Sequence, residues 1–103
     1  MSDAEGMLAD LRSSMEEIDR SLVGLLAERV RLARRIGALK SQLGLPALDP
    51  VREAAVVRRA GELAREAGLD GEDVRYVYWQ VIAMARREQL LGSDEPAADG
   101  GAA

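Results

Sequence analysis

The sequence predicts an all-α fold: three helices per chain, a long N-terminal helix first, assembled as an intertwined helical homodimer. Three observations carry that expectation. A seven-residue apolar repeat runs through the first ~40 residues, the span of a single long helix. Only two shorter helical segments follow it. The apolar residues are mostly Ala, Leu, Val and Ile with 3% aromatics and no Phe, a composition suited to helix packing and poor for a sheet core.

The repeat places Leu8, Met15, Leu22, Ile36 and Leu43 on one heptad position, and Leu11, Ile18, Leu25, Leu32 and Leu39 on the position three residues later. This is a helical seam from about Ala4 to Leu43, uninterrupted by proline. Gly24 and Gly37 each weaken a helix by roughly 1 kcal/mol relative to Ala, which so long a pattern absorbs. At about 1.5 Å per residue the helix is a rod of roughly 60 Å. A compact chain of this length would be only about 26 Å across.

Gly44-Leu45-Pro46 ends the rod. Asp49-Pro50 opens the second helix with an N-cap aspartate and a proline in the first turn, and Gly68 stops it just beyond Ala67. Asp70 caps the third helix, with Asp73 three residues on as an acidic form of the capping box. Val74, Val77, Tyr78, Val81, Ile82 and Ala85 share one of its faces, and it ends near Leu91. Residues 1–91 therefore read as one helical domain. Residues 92–103 are a tail rich in Gly, Ala and Asp with no apolar period, expected to be disordered. Two short helices cover only part of the seam, and the rest calls for a second copy.

Composition excludes several function classes. A net charge of −4 argues against a nucleic-acid partner, whose footprint is a basic domain. No stretch approaches the ~20 apolar residues of a membrane span, and the acidic N-terminus lacks a signal-peptide layout. There is no Cys and no His, hence no disulfide framework, no thiolate or imidazole metal site and no histidine base. No metal or other cofactor is expected, and the default location is cytoplasmic.

One charge violates the heptad. Arg29 occupies the seam position otherwise held by Leu22 and Ile36. A guanidinium in a helix interface costs several kcal/mol unless it is paired, so Arg29 either sets register through an internal ion pair or faces a polar cavity that awaits an anion. Lys40 lies three turns further along the same rod, on nearly the same face. Arg12 lies about 25 Å before Arg29 along the axis, too far to serve one small molecule within a chain. It would approach the Arg29 of an antiparallel partner. Asp49, Arg52 and Glu53 open the second helix, where an arginine opposes the helix dipole and must be compensated or used. Gln89 follows Ala85 by one turn on the third helix. Arg31, Arg34, Arg35, Arg58, Arg59, Arg86 and Arg87 read as solvated, and Trp79 and the tyrosines as ordinary packing. No nucleophile-and-base pair, glycine-rich phosphate loop or metal spacing is present.

Together these residues resemble the small all-helical chorismate mutases, intertwined dimers of three-helix chains. The resemblance runs from about Leu8 to Gln89. It is carried by LRSSMEEIDRSLVGLLAERVRLARRIGALK in the long helix, LDPVRE opening the second and WQVIAMARREQ in the third. It implies that Arg29, with Arg12 of the partner chain, clamps the two carboxylates of chorismate through charge-assisted hydrogen bonds. It implies that Lys40 and Gln89 donate to the ether oxygen of the breaking bond and that Glu53 accepts from the ring hydroxyl. Asp49 would offer its backbone near that hydroxyl, and Arg52 would line the site beside a carboxylate. One position departs from the pattern: Ala85 stands where the family commonly has a small hydroxyl residue, removing a possible hydrogen bond to the substrate.

The implied reaction is the rearrangement of chorismate to prephenate in aromatic amino-acid biosynthesis. Two other enzymes fit the same fold and cations, an isochorismate pyruvate-lyase and a 4-amino-4-deoxychorismate mutase. Outside the enzyme class, a non-catalytic helical dimer acting as a regulatory or assembly module would pair Arg29 internally and lack a pocket. The sequence does not distinguish the preferred substrate, and it leaves open a partner enzyme of the same pathway, feedback regulation and a role for the tail.

Overall fold

The computed structural model describes Ser2 to Asp94. Those residues form three helices: α1 over Asp3–Gln42, α2 over Pro50–Glu66 and α3 over Gly71–Ser93. The expected element order, the Asp49 and Asp70 N-caps and the glycine breaks are found. Ser2 Oγ accepts the backbone N–H of Glu5 at 3.2 Å and so caps α1. Asp49 Oδ1 accepts from Arg52 N at 3.0 Å, and Asp70 Oδ1 accepts from Glu72 N at 2.8 Å and Asp73 N at 3.1 Å. In each case the side-chain oxygen satisfies an N–H that has no partner inside its helix.

α1 and α2 end in the same way. Gly44 (φ 70°) and Gly68 (φ 81°) take the left-handed conformation that side chains disfavour. The following residues then turn back onto the helix, Leu45 N to Lys40 O and Leu69 N to Ala64 O, each at 2.8 Å. Gly44 N and Gly68 N each reach a carbonyl three residues back at 3.1 Å. The two bonds together make a Schellman motif at each end. The turn after α1 folds the 43–49 segment over Lys40, which bears on the site described below.

α2 and α3 form an antiparallel hairpin. Near its turn, the missing side chains of Gly61 and Gly71 bring the helices together: a Cβ on Gly61 would strike Arg75, and one on Gly71 would come within 3.1 Å of the Gly61 carbonyl. α3 also packs on α1, and here the approach is closer still. A Cβ on Gly37 would collide with the backbone of Gln89, and one on Gly92 with the carbonyl of Arg34. That packing carries α3 through Gly92 and Ser93, two residues past the boundary expected at Leu91. The tail expected to be disordered otherwise falls on 95–103, outside the described residues. Arg34, read as solvated, also lies 3.7 Å from Glu88 across the same contact.

The buried core is made mostly of small residues: Ala33, Val57, Ala60, Ala64 and Ala85, with Ile82 the largest among them. Many large apolar side chains are exposed. All ten apolar seam residues of α1 named above are between 45 and 71% exposed, and residues 7–25 are exposed without exception. Val77, expected on the packed face of α3, is exposed as well. The chain is 62 Å long with a radius of gyration of 18.5 Å, against about 13 Å for a compact chain of this length. No described helix is long and apolar enough to cross a membrane.

Candidate active site

The loop after α1, the first turn of α2 and the middle of α3 meet over the C-terminal half of α1. They enclose a cleft of about 260 Å³. α1 supplies Arg29, Leu32, Ala33, Ile36 and Lys40; the start of α2 supplies Asp49, Arg52, Glu53 and Val56; α3 supplies Ile82, Ala85 and Gln89. Thus Arg29, Lys40, Asp49, Arg52, Glu53, Ala85 and Gln89, chosen from sequence, line one cavity. Arg12 is not among the lining residues; it lies in the exposed half of α1.

The floor is organised by Lys40. Its Nζ donates to Gln89 Oε1 at 2.9 Å and to Ala47 O at 3.2 Å. An ammonium has only donors, so this bond fixes the orientation of the Gln89 amide: the oxygen faces Lys40 and the NH2 is left to donate elsewhere. Gly37, one turn before Lys40, makes the arrangement possible because the backbone of Gln89 sits where a Cβ would be. The carbonyl of Ala47 reaches Lys40 through the turn that Gly44 creates. Two hydrogen-bond donors are thereby held side by side on rigid backbone.

Apolar side chains make up much of the walls, and two arginines stand among them. The guanidinium carbon of Arg29 lies 5.6 Å from the centroid of the Tyr78 ring, within cation–π range. Among the described residues no acid pairs with Arg29, so the internal ion pair weighed from sequence is not found within the chain. Arg52 likewise has no acidic partner among them. Its backbone N–H is taken by Asp49, whose side chain is occupied as the helix cap. A second hollow of about 260 Å³ adjoins the first, sharing Arg29, Arg52 and Val56 and extending to Arg59, Leu63 and Tyr78.

Glu53 faces the cleft with its charge already matched. Arg86 Nε donates to both of its oxygens, at 2.8 and 3.1 Å. The Glu53 side chain is 12% exposed and that of Arg86 44%. The hydrogen bond that Arg86 donates to Glu53, and then the negative charge of Glu53, push the Arg86 guanidinium above its usual pKa. Arg86 was read from sequence as a solvated cation and is instead this partner. Its signal was present but indirect: in an antiparallel hairpin, residues equidistant from the Gly68–Asp70 turn meet, and Glu53 and Arg86 are such a pair. Tyr78, read as plain packing, is the ring beneath Arg29.

An open cleft whose cations Arg29 and Arg52 have no acidic partner among the described residues, with two fixed donors, an acid engaged as a helix cap and another neutralised by Arg86, suits a small polyanion. Residues 11–90 match the family described as chorismate mutase type II. The chain belongs to that family. The match spans every site residue named above, from Arg12 to Gln89. Among individual chorismate mutases, the chain is 36% identical to one from Methanocaldococcus jannaschii over 75 residues, covering 73% of this chain and 75% of that one. It is 34% identical to a 4-amino-4-deoxychorismate mutase from Streptomyces venezuelae over 89 residues, covering 85% and 86%. It is also 39% identical to a bifunctional chorismate mutase/prephenate dehydratase from Aquifex aeolicus over 79 residues, 74% of this chain but only 22% of that protein. In that longer relative the chain corresponds to one part, and nothing of the remainder carries over to it.

Proposed function

We propose that the chain is a chorismate mutase that converts chorismate to prephenate in a cleft completed by a second copy of itself. The observation that carries this reading is the Lys40 ammonium bonded to Gln89 Oε1 in a cleft that Arg29 and Arg52 also line. The reaction is a concerted [3,3] shift: the ether C–O bond breaks as a new C–C bond forms, and no proton moves. It needs no base, nucleophile, metal or cofactor. What it needs is a side chain held over the ring and a field that favours charge on the ether oxygen.

Each requirement has residues that suit it. Arg29 and Arg52 bind carboxylates from fixed positions, which converts a floppy enolpyruvyl ether into a reactive conformer. Lys40 and the NH2 of Gln89 donate to the ether oxygen as it gains negative charge, a stabilisation that grows along the reaction coordinate. Glu53 accepts from the ring hydroxyl, and the Asp49 backbone lies beside it. Arg12 of the partner chain closes the site over the second carboxylate. The exposed seam of α1 supports the homodimer, because it leaves a long apolar face on the helix that carries Arg12. A cytoplasmic location goes with this reading, since the reaction belongs to biosynthesis inside the cell.

A second substrate has one observation behind it, the extensive similarity to a 4-amino-4-deoxychorismate mutase. A purely structural dimer is disfavoured by the open cleft and by an Arg29 with no acid beside it among the described residues. The test is direct. Purified protein is mixed with chorismate and the loss of its ultraviolet absorbance is followed, with prephenate identified as product. Turnover by wild type and its collapse in Lys40→Ala, with the far-UV circular dichroism unchanged, is the expected result. Survival of chorismate in the presence of folded wild-type protein would remove the assignment.

A further inference from the structure

We infer that Arg86 is a specificity-determining residue, which selects a hydroxyl over an amino group on the substrate ring by neutralising Glu53. The inference rests on the proposed mutase reading and concerns which member of its substrate class the cleft accepts. Neither the family match nor any relative assigns a role to this arginine.

The argument is one of charge. Glu53 is the acid of the cleft placed to meet the ring substituent, and it is largely shielded from solvent. A carboxylate in that place, left alone, would favour a cation: a primary amine on a saturated ring carbon is largely ammonium at neutral pH. Such a site would accept the amino analogue readily. Here the carboxylate is not alone. Arg86 reaches across from α3 and shares one N–H between both oxygens, at 2.8 and 3.1 Å. The pair has no net charge, and the guanidinium is held at the carboxylate that lines the cleft.

Two consequences follow. An ammonium arriving at Glu53 meets a neighbouring cation and a carboxylate whose charge is already compensated, so it gains little and is repelled. A neutral hydroxyl loses nothing, because a single shared N–H leaves lone pairs free on both oxygens to accept from it. The other acid of the lining, Asp49, is engaged as the cap of α2. Arg29, Lys40 and Arg52 are cations with no acidic partner among the described residues, and they match a ligand with two carboxylates and no positive charge better than one that carries an ammonium. Arg86 does not touch the substrate. It acts by setting what Glu53 presents.

The decisive experiment measures kcat/KM for chorismate and for 4-amino-4-deoxychorismate with wild type, Arg86→Gln and Arg86→Lys. Wild type should prefer chorismate. Arg86→Gln should move the ratio of the two values toward the amino substrate by at least tenfold, and Arg86→Lys, which keeps the charge, should stay near wild type. An arginine that merely ties α3 to α2 would lower both values together and leave the ratio unmoved, which overturns the inference while the mutase reading stands. A wild type that prefers the amino substrate overturns it as well. Wild-type protein inert toward both substrates removes the mutase reading, and the inference with it.

Discussion

Lys40 does two tasks that a surface lysine does not. It is itself a donor, and it orients a second donor by holding the oxygen of the Gln89 amide. Lys40→Ala should therefore lose more than one hydrogen bond: kcat should fall on the order of 10²–10³-fold or beyond, the range for removing a preorganised donor from a developing charge. Because the loss falls on the transition state, kcat and kcat/KM should drop together. Gln89→Ala should cost less, since the Lys40 ammonium remains tied to the Ala47 carbonyl. Steady-state kinetics on the two variants gives the order, and a larger loss for Gln89→Ala would refute this account of the floor. Ala85 offers a gain rather than a loss. It lines the cleft and is buried, so Ala85→Ser places a hydroxyl against bound substrate at little steric cost. An increase in kcat/KM of a few-fold is expected, and a decrease would mean that the apolar wall itself is required.

Helices differ in how much of themselves they declare. The caps of α2 and α3, the glycines that close α1 and α2, and the cluster opening α2 were all legible, because each is a local signal within four residues. The cations of α1 were legible for a related reason: helical phase links Arg29 to Lys40 without knowledge of any neighbour. What local signals do not contain is the register between helices. Gly24 and Gly37 look alike in sequence, two glycines in a long helix, yet Gly24 has nothing within 4 Å of where a Cβ would be, while Gly37 lies against the Gln89 backbone. The two should respond oppositely to the same change. Gly24→Ala should stabilise the protein by up to about 1 kcal/mol from helix propensity. Gly37→Ala gains the same propensity and loses about 1–3 kcal/mol to overpacking, so the contact wins, Tm falls, and Gln89 is displaced from Lys40 with loss of kcat. Thermal melts and kinetics on both variants check it. Arg86 was missed on the same ground, since its partner lies 33 residues away on another helix.

At the scale of the whole molecule, the division of labour between Arg12 and Arg29 can be tested without any structure of the assembly. If each site takes Arg29 from one chain and Arg12 from the other, a dimer with one Arg12→Ala chain and one Arg29→Ala chain has one intact site and one doubly defective site. Unfolding and refolding an equimolar mixture of the two inactive variants should then restore about a quarter of wild-type activity, since half the dimers are mixed and half of their sites are whole. No recovery, with mixed dimers demonstrated by native mass spectrometry, would show that the two arginines do not serve a common site. The expectation of a dimer came from the mismatch between a rod of roughly 60 Å and the two short helices available to cover it; the chain's length of 62 Å keeps that mismatch.

The uncovered seam has a further consequence, for the behaviour of the protein on dilution. Burying a Leu or Ile side chain contributes roughly 1.5–3 kcal/mol, so the ten seam residues together carry as much stabilising potential as the ~5–15 kcal/mol that holds a typical domain folded. A lone chain would forgo most of it. Folding and pairing should then be a single equilibrium between two disordered chains and one ordered pair, with a melting temperature that rises with protein concentration. Below the midpoint of that equilibrium, specific activity should itself fall with dilution, so that total rate follows the square of chain concentration. In a cell such an equilibrium would make catalytic output a thresholded function of expression, steeper than the gene dose that sets it.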